Sequence, residues 1–207
     1  MPIPIIAWVI AAVVAAVAAG TGITIACLSG KKVAFIGMIG SGKTTAVQAF
    51  QAIHSKNEDW KANNKTSGTM HNSKEHDVLG FKVCIDTSGA QQRKRDWETT
   101  ISNVDWVFYF FDISRLDEIM NEDGGPHRYR QLVKADLADI ATICQKKDKK
   151  ILVIATHTDV PHEKKKAEQY CADILQPLKE FRFVKGSLKN YKSALDLFNE
   201  TKEMVEE

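Results

Sequence analysis

A glycine-rich segment near residue 40 constrains the fold of this chain more than any other feature. Gly37 is followed by four residues and then by Gly42-Lys43-Thr44, which is the spacing of a phosphate-binding P-loop. The apolar run 33–36 precedes this segment and the helix-compatible run 45–50 comes after it, so the context is strand, loop and helix. An ordinary glycine-rich turn before a helix is the alternative, and the complete motif in this context disfavours it.

Each residue type in the segment suits the binding of a phosphate chain. Glycine lets the backbone wrap an anion in conformations that other residues resist, and the following helix adds N–H donors and positive potential. Lys43 is predicted to reach the β- and γ-phosphates as a catalytic residue, and the Thr44 hydroxyl is predicted to hold Mg²⁺. The phosphate-binding positions are Gly37, Gly40, Ser41, Gly42, Lys43, Thr44 and Thr45.

The N-terminal segment differs in composition from the rest of the chain. No charged side chain precedes Lys31, and residues 5–28 are almost entirely apolar over a length that spans a bilayer. Lys31-Lys32 directly after the run favours a cytosolic location for the C-terminal part of the chain. A cleaved signal peptide is disfavoured by the length of the run and the lack of preceding basic residues, and a buried core helix by its lack of a polar face. We expect a single-pass transmembrane helix at 1–30 and a cytosolic domain at 31–207.

The composition of the whole chain argues against several kinds of partner and site. A chain of 207 residues suits one domain plus an appendage, and a formal charge of +2 is too near neutral to suggest nucleic-acid binding. The lysine-rich runs 146–150 and 164–166 are interpreted as solvated helix ends and loops, with a weak contact to anionic lipid headgroups as the alternative. Four scattered cysteines without a Cys-x-x-Cys pair indicate a reducing compartment and no structural zinc.

Apolar runs of strand length alternate with helical patterns through the rest of the chain. The predicted strands are 33–36, 81–85, 106–111, 151–155 and 182–184, and the predicted helices after the P-loop helix are 129–146, 170–181 and 191–205. The polar stretch 54–77 is predicted to be an exposed loop. This alternation predicts an α/β fold with a mostly parallel sheet and helices on both faces, in which ligands bind at the carboxyl ends of the strands.

Two further motifs come directly after predicted strand ends. One strand leads to Asp86-Thr87-Ser88-Gly89, where Asp86 suits the Mg²⁺ shell and the Gly89 N–H suits a γ-phosphate. Another leads to Thr156-His157-Thr158-Asp159, where the Asp159 carboxylate suits N1–H and the exocyclic amine of guanine. The same edge of adenine offers the opposite pattern, so guanine is favoured. A helix-capping or turn role for Asp159 is the alternative.

Together these motifs resemble those of the small Ras-superfamily GTPases, nearest to the Arf family and the β-subunit of the signal-recognition-particle receptor. The resemblance covers about residue 32 to the C-terminus. Its Arf-like cues are Gly42-Lys43-Thr44-Thr45, Arg95-Asp96-Trp97 and Asp112-Ile113-Ser114-Arg115. The receptor subunit is similar in joining an N-terminal membrane span directly to such a domain. The resemblance implies a P-loop NTPase G domain that binds GTP or GDP with Mg²⁺ and hydrolyses GTP. It also implies a molecular switch that a protein effector or activating partner recognises.

The resemblance also assigns roles outside the motifs. It implies a switch-I threonine that ligates Mg²⁺ and senses the γ-phosphate. Thr66 has nearly the Arf-like distance to Asp86, and Thr69 is the alternative. A last base-contacting loop is implied at Gly186-Ser187-Leu188, after the final predicted strand.

The chain departs from the family pattern at two places. After the glycine of Asp-x-x-Gly stands Ala90 rather than the glutamine that orients the attacking water, so slow hydrolysis is expected unless Gln91, Gln92 or a partner supplies the contact. Gln91 is therefore a candidate catalytic residue. Thr156-His157 replaces Asn-Lys, and the histidine would stack on guanine with weaker coverage, so base preference rests mainly on Asp159.

Three functions are compatible with these residues. The leading one is a membrane-anchored GTPase switch with slow intrinsic turnover. Its alternative is a constitutive GTP-binding scaffold or receptor subunit that recruits a partner complex to the membrane, which Ala90 favours. An ATP-using kinase or ATPase is the third, and Asp159 disfavours it.

Overall fold

The computed structural model describes residues 31–62, 76–78, 81–85, 93–122, 125–161, 163–176, 178 and 180–206. Several sequence predictions lie outside these residues, namely the membrane anchor at 5–28, the switch-I candidates Thr66 and Thr69, and the segment that holds Asp86, Gly89, Ala90 and Gln91. Among the helices that are described, none is both long and apolar enough to cross a bilayer.

Strands and helices alternate along the chain. In order they are β1 (Lys32–Gly37), α1 (Lys43–His54), β2 (His76–Val78), β3 (Phe81–Ile85), α2 (Arg93–Ser102), β4 (Trp106–Asp112), a 3₁₀ turn (Ile113–Arg115), β5 (Ile119–Glu122), β6 (Gly125–Arg128), α3 (Tyr129–Lys147), β7 (Lys150–Thr156), α4 (Lys164–Leu175), β8 (Arg182–Lys185) and α5 (Tyr191–Glu206).

Six of the described strands form one sheet in the order β2-β3-β1-β4-β7-β8. Strands β3, β1, β4, β7 and β8 run parallel, and β2 joins β3 in antiparallel pairing at the edge. Neighbouring parallel strands need a crossover connection, which a helix usually supplies. The predicted α/β fold with a mostly parallel sheet is therefore confirmed.

Helices cover both faces of the sheet, and successive strand residues alternate between two apolar clusters. On one face, side chains such as Phe35 and Phe108 pack with α1 and α5. On the other face, side chains such as Ile36 and Tyr109 pack with α2, α3 and α4. Strand β4 is buried at all seven positions, as a central strand between two helical layers requires.

Helix α4 corrects one prediction. The expected range was 170–181, whereas the helix spans Lys164–Leu175. The lysine-rich run 164–166 is thus the start of this helix, in agreement with its interpretation as a solvated helix end, and Lys165 and Lys166 are exposed. The prediction extended through Pro177, a residue type that lacks a backbone N–H and disfavours helix just before it.

Two short antiparallel strand pairings among the described residues were not predicted. The end of the polar stretch 54–77 belongs to β2, since His76 and Asp77 pair with β3. Strands β5 and β6 form a separate hairpin. Both cases are three or four residues long, and neither contains the apolar alternation by which a strand is recognised.

The parallel strands give the sheet two different edges. At the amino edge, the Lys32 N–H donates to Asp105 Oδ2 over 2.8 Å, immediately before β4 begins. Only Ser29-Gly30-Lys31 separate β1 from the predicted anchor. The predicted anchor therefore precedes the amino edge, and the P-loop comes after β1 at the carboxyl edge.

Candidate functional site

The loop between β1 and α1 turns at three glycines. Gly37, Gly40 and Gly42 have φ angles of 141°, 76° and 85°, which L side chains rarely adopt. A Cβ added to Gly37 would also lie 2.0 Å from the carbonyl oxygen of Phe110 on β4. The path of this loop at Gly37 therefore requires glycine on both torsional and steric grounds.

Helix α1 starts directly after Gly42, and its N-terminus is suited to the binding of an anion. Within the described residues no side chain caps this start, and the first turn holds no acidic residue. The first N–H groups of the helix and the positive end of its dipole therefore face the loop. Thr44 and Thr45 lie half-buried in this first turn. Such a helix start is a general binding place for phosphate.

The ammonium group of Lys43 lies inside the loop. Its Nζ donates to the carbonyl oxygens of Gly37 and Met38, each over 2.7 Å, and lies 3.4 Å from Ser41 Oγ. Only 8% of Lys43 is exposed. The cation is thus held where the motif predicts that it meets a phosphate chain.

The end of β7 contacts the same loop through Thr156. This residue is fully buried, and its Oγ1 lies 2.9 Å from the Ser41 carbonyl oxygen and 3.1 Å from that of Phe111. A hydroxyl has one proton and donates to one carbonyl at a time. Thr156 therefore connects the P-loop to the strand that carries the predicted base-contacting residues.

His157 is oriented by two polar neighbours. Its φ of 61° is left-handed, which is uncommon outside glycine. Its Nδ1 lies 2.8 Å from Thr156 Oγ1 and 3.4 Å from Asp112 Oδ2. These two contacts fix the orientation of the ring beside the P-loop.

The two predicted base-contacting loops, which contain Asp159 and Ser187, lie next to each other. The Gly186 N–H donates to the Ala155 carbonyl over 2.9 Å, and the Thr158 N–H donates to the Gly186 carbonyl over 3.4 Å. Ser187 Oγ donates to Asp159 Oδ1 over 2.5 Å, which orients the carboxylate. Asp159 is exposed, and a carboxylate accepts about four hydrogen bonds, so it retains capacity for a ligand.

Gly42 is the point where the P-loop meets these two loops. A Cβ placed there would lie 3.2 Å from Leu188 Cδ1, and 3.7 Å from both His157 Cε1 and Thr156 Cγ2. The predicted phosphate-binding and base-contacting segments therefore lie close together at Gly42. A Cβ at this position would require Leu188 Cδ1 to move by a few tenths of an ångström.

Arg115 also contacts the P-loop, a contact that the sequence motifs do not indicate. Its Nη1 donates to the Ile39 carbonyl oxygen over 3.1 Å, while Nε and Nη2 donate to the Glu118 carboxylate. The guanidinium also lies 5.0 Å from the centroid of the Tyr129 ring. The hydrogen bond to Glu118 raises the pKa of Arg115, and the Arg115 guanidinium lowers the pKa of Glu118. Arg115, which follows β4, therefore stabilises the P-loop through its hydrogen bond to Ile39.

Asp112 and Tyr129 fix the turn that presents Arg115. Asp112 Oδ1 accepts from the N–H and the hydroxyl of Ser114, over 2.9 and 2.6 Å. The Asp112 N–H donates to the Tyr129 hydroxyl over 2.9 Å, and burial raises the pKa of Tyr129, which keeps this phenol neutral. The one indication of this arrangement in the sequence is that the apolar run 106–111 is followed directly by an aspartate, Asp112.

The structure thus brings together most predicted site residues at the carboxyl edge. They are Gly37, Gly40, Ser41, Gly42, Lys43, Thr44, Thr45, Thr156, His157, Asp159, Ser187 and Leu188. Of the predicted Mg²⁺ ligands, only Thr44 is among the described residues. Comparison of the chain with models of protein families, and with individual curated proteins, finds no significant match.

Proposed function

We propose that the chain is a membrane-anchored small GTPase of the Ras-superfamily type, which binds GTP and GDP with Mg²⁺ and acts as a switch at the cytosolic face of a membrane. One observation carries this proposal. The loop that holds Lys43 is joined through Thr156 to the strand end that leads to Asp159, and Asp159 accepts a hydrogen bond from Ser187. The proposed phosphate cradle and the proposed guanine acceptor therefore lie at one edge of one sheet.

The phosphate half of the proposed site uses groups that are already positioned. The N–H groups at the start of α1 face the loop, and Lys43 supplies a cation inside it. Thr44 offers a hydroxyl oxygen from the first helical turn, and hydroxyl and carboxylate oxygens are the ligands that Mg²⁺ prefers. Asp86 and Thr66 would complete that set. When bound, Mg²⁺ neutralises charge that develops on the phosphates during transfer.

The base half of the proposed site reads the donor edge of guanine. Ser187 fixes one oxygen of Asp159, and the carboxylate then accepts from N1–H and the 2-amino group. The His157 ring, held by Thr156 and Asp112, lies beside Gly42 and would cover one side of the base.

The base assignment predicts a change of nucleotide on substitution of Asp159. Asp159→Asn is expected to weaken GTP binding about 10- to 100-fold, because a charge-assisted hydrogen bond is lost. It is also expected to strengthen binding of xanthosine triphosphate, whose 2-oxo group accepts where guanine donates. Both affinities are measured by competition with a fluorescent nucleotide, with ATP as a third competitor. Asp196→Asn, at an exposed position on α5, is the matched control.

Two outcomes would contradict the guanine assignment. In the first, wild-type protein binds ATP as tightly as GTP, which favours an ATP-using enzyme. In the second, Asp159→Asn and Asp196→Asn give the same affinities, which leaves Asp159 as a turn residue.

A second candidate function, a constitutive GTP-binding subunit that recruits a partner complex, is favoured by Ala90. Alanine has no group that orients a water molecule, so we expect slow single-turnover hydrolysis of bound GTP. Ala90→Gln is expected to raise that rate about tenfold or more if the rest of the machinery is competent. A wild-type rate typical of active GTPases, unchanged by the substitution, would show that another group such as Gln91 orients the water. An equally slow rate in both proteins would favour the constitutive subunit.

A further inference from the structure

A second cleft lies at the amino edge of the sheet, opposite to the P-loop. Its volume is about 830 Å³, which is large enough for a small organic ligand. Trp106, Lys150 and Arg182, the first residues of β4, β7 and β8, line it. Its apolar wall comes from α3 and the segment before β8, through Ala138, Ala141, Cys144, Leu178 and Phe181.

Two cations in this cleft lie over one aromatic ring. Lys150 Nζ and the Arg182 guanidinium carbon lie 5.2 and 5.4 Å from the centroid of the Trp106 ring, which is itself 3% exposed. Cation–π contact stabilises both charges, but it satisfies no N–H group. The cluster therefore retains hydrogen-bonding capacity.

Arg182 provides the clearest indication of a ligand. Its Nη1 is buried and has no hydrogen-bond partner among the described residues. A buried donor without an acceptor is costly, and each such case in a folded protein requires an explanation. An anionic oxygen that enters the cleft beside Trp106 would satisfy this nitrogen and meet Lys150 as well.

The remaining residues that line the cleft indicate which kind of molecule would carry the anionic group. Lys149 adds a third cation, whereas Asp148 and Glu180 are exposed carboxylates at the rim that oppose an anion there. Beside the cations, Phe181 is 39% exposed to solvent. A ligand with an anionic group at one end and an apolar body at the other fits both parts.

The position of the cleft identifies the source of such a ligand. Trp106 pairs with Val33 of β1, and only Ser29-Gly30-Lys31 separate the predicted anchor from β1. A connection of three residues reaches about 10 Å at most. With the predicted anchor in a bilayer, the amino edge would lie near the membrane surface, where anionic phospholipids are present.

We propose that this cleft binds the headgroup of an anionic phospholipid of the membrane in which the chain is anchored. The lipid phosphate accepts from Arg182 and pairs with Lys150, while Phe181 and Leu178 contact the glycerol end and the first acyl carbons. The site is separate from the proposed nucleotide site, and it depends on the predicted anchor for access to lipid.

The test uses the full chain in micelles of an uncharged detergent. The protein is titrated with phosphatidic acid, phosphatidylserine or phosphatidylcholine, and retained lipid is counted by native mass spectrometry. We expect saturable retention of one anionic lipid and about tenfold weaker retention by Arg182→Gln, the loss expected for one charge-assisted hydrogen bond. Lys150→Gln, at an exposed position, tests the same site if the arginine variant does not fold.

Arg130→Gln is the matched control. Its guanidinium also lies over an aromatic ring, 4.1 Å from the Tyr170 centroid, but at the start of α3 near the other edge of the sheet. Lipid retention by this variant should equal that of wild type.

Three results would overturn the proposal. The first is equal lipid retention by wild type, Arg182→Gln and Lys150→Gln. The second is equal retention of phosphatidylcholine and of the anionic lipids by the wild-type protein. The third is complete displacement of the lipid by millimolar inorganic phosphate or glycerol 3-phosphate. The last result would assign the cleft to a soluble phosphate compound. GTP affinity is measured on the same samples. A wild-type protein with no affinity for GTP would contradict the proposed function, whereas the conclusion on lipid binding would be unaffected.

Discussion

Lys43→Gln is expected to lower the affinity for GTP by about 100-fold or more, because two charge-assisted hydrogen bonds to phosphate are lost. In the described structure the ammonium lies inside the loop, 2.7 Å from the carbonyl oxygens of Gly37 and Met38. A bound phosphate chain would offer it stronger acceptors than these carbonyls. Glutamine is nearly as long but carries no charge, so it tests the cation rather than the volume.

The measurement is equilibrium titration of the full chain with a fluorescent GTP analogue. Lys192→Gln, at an exposed position in the first turn of α5, is the control for removal of one positive charge. A Lys43→Gln protein that binds GTP as tightly as the Lys192→Gln protein would refute the phosphate role of Lys43. Melting of both variants without nucleotide separates lost binding from a damaged loop, because Lys43 also holds the loop carbonyls.

Gly37→Ala is expected to destabilise the fold by about 4 kcal/mol or more, at the extreme of single substitutions. The added Cβ would lie 2.0 Å from the Phe110 carbonyl oxygen, so β1 and β4 would have to separate at their carboxyl ends. The φ of 141° adds a torsional cost that an L residue cannot relieve without moving the loop.

Thermal unfolding of the full chain in an uncharged detergent, monitored by circular dichroism, measures this loss. A decrease in Tm of about 10 °C or more is expected for a domain of this size. Gly40→Ala is the matched control, because its Cβ would meet only the end of the Arg115 side chain, at 3.1 Å. That variant has a left-handed φ of 76° and should lose only about 1 to 2 kcal/mol. Equal Tm values for the two variants would show that β1 and β4 tolerate the added methyl group.

The central strands and the P-loop could be predicted from sequence because their constraints are local. Strand β7 is a continuous apolar run, and the observed strand extends it by one residue at each end, to Lys150–Thr156. The P-loop motif fixes glycine, lysine and threonine at set spacings, since backbone torsion and phosphate geometry leave few choices. The position of Asp159 could be predicted by the same logic, because the carboxyl ends of parallel strands meet at one edge.

The remaining features depend on contacts between distant segments. Arg115 reaches Ile39 across 76 positions of the chain, and no local pattern encodes that bond. The left-handed φ of His157 fits its side-chain contacts with Thr156 and Asp112. The range of α4 was wrong because the prediction began at Tyr170 and extended through Pro177, whereas the helix begins at the lysine run and ends two residues before the proline. The β5–β6 hairpin has no apolar alternation by which it could be predicted, although Met120 of β5 packs against the core.

Strand β4 also sets the distance between the amino edge of the sheet and the candidate nucleotide site. It begins at Trp106 on the amino edge and ends at Asp112 beside the candidate nucleotide site, and seven residues of extended chain span about 20 Å. Helices pack on both of its faces, so this length is rigid. With the predicted anchor before the amino edge, the loops around Lys43 and Asp159 would lie about that distance from the edge of the sheet that follows the anchor. A protein that docks there would approach from the cytosol, clear of the lipid headgroups.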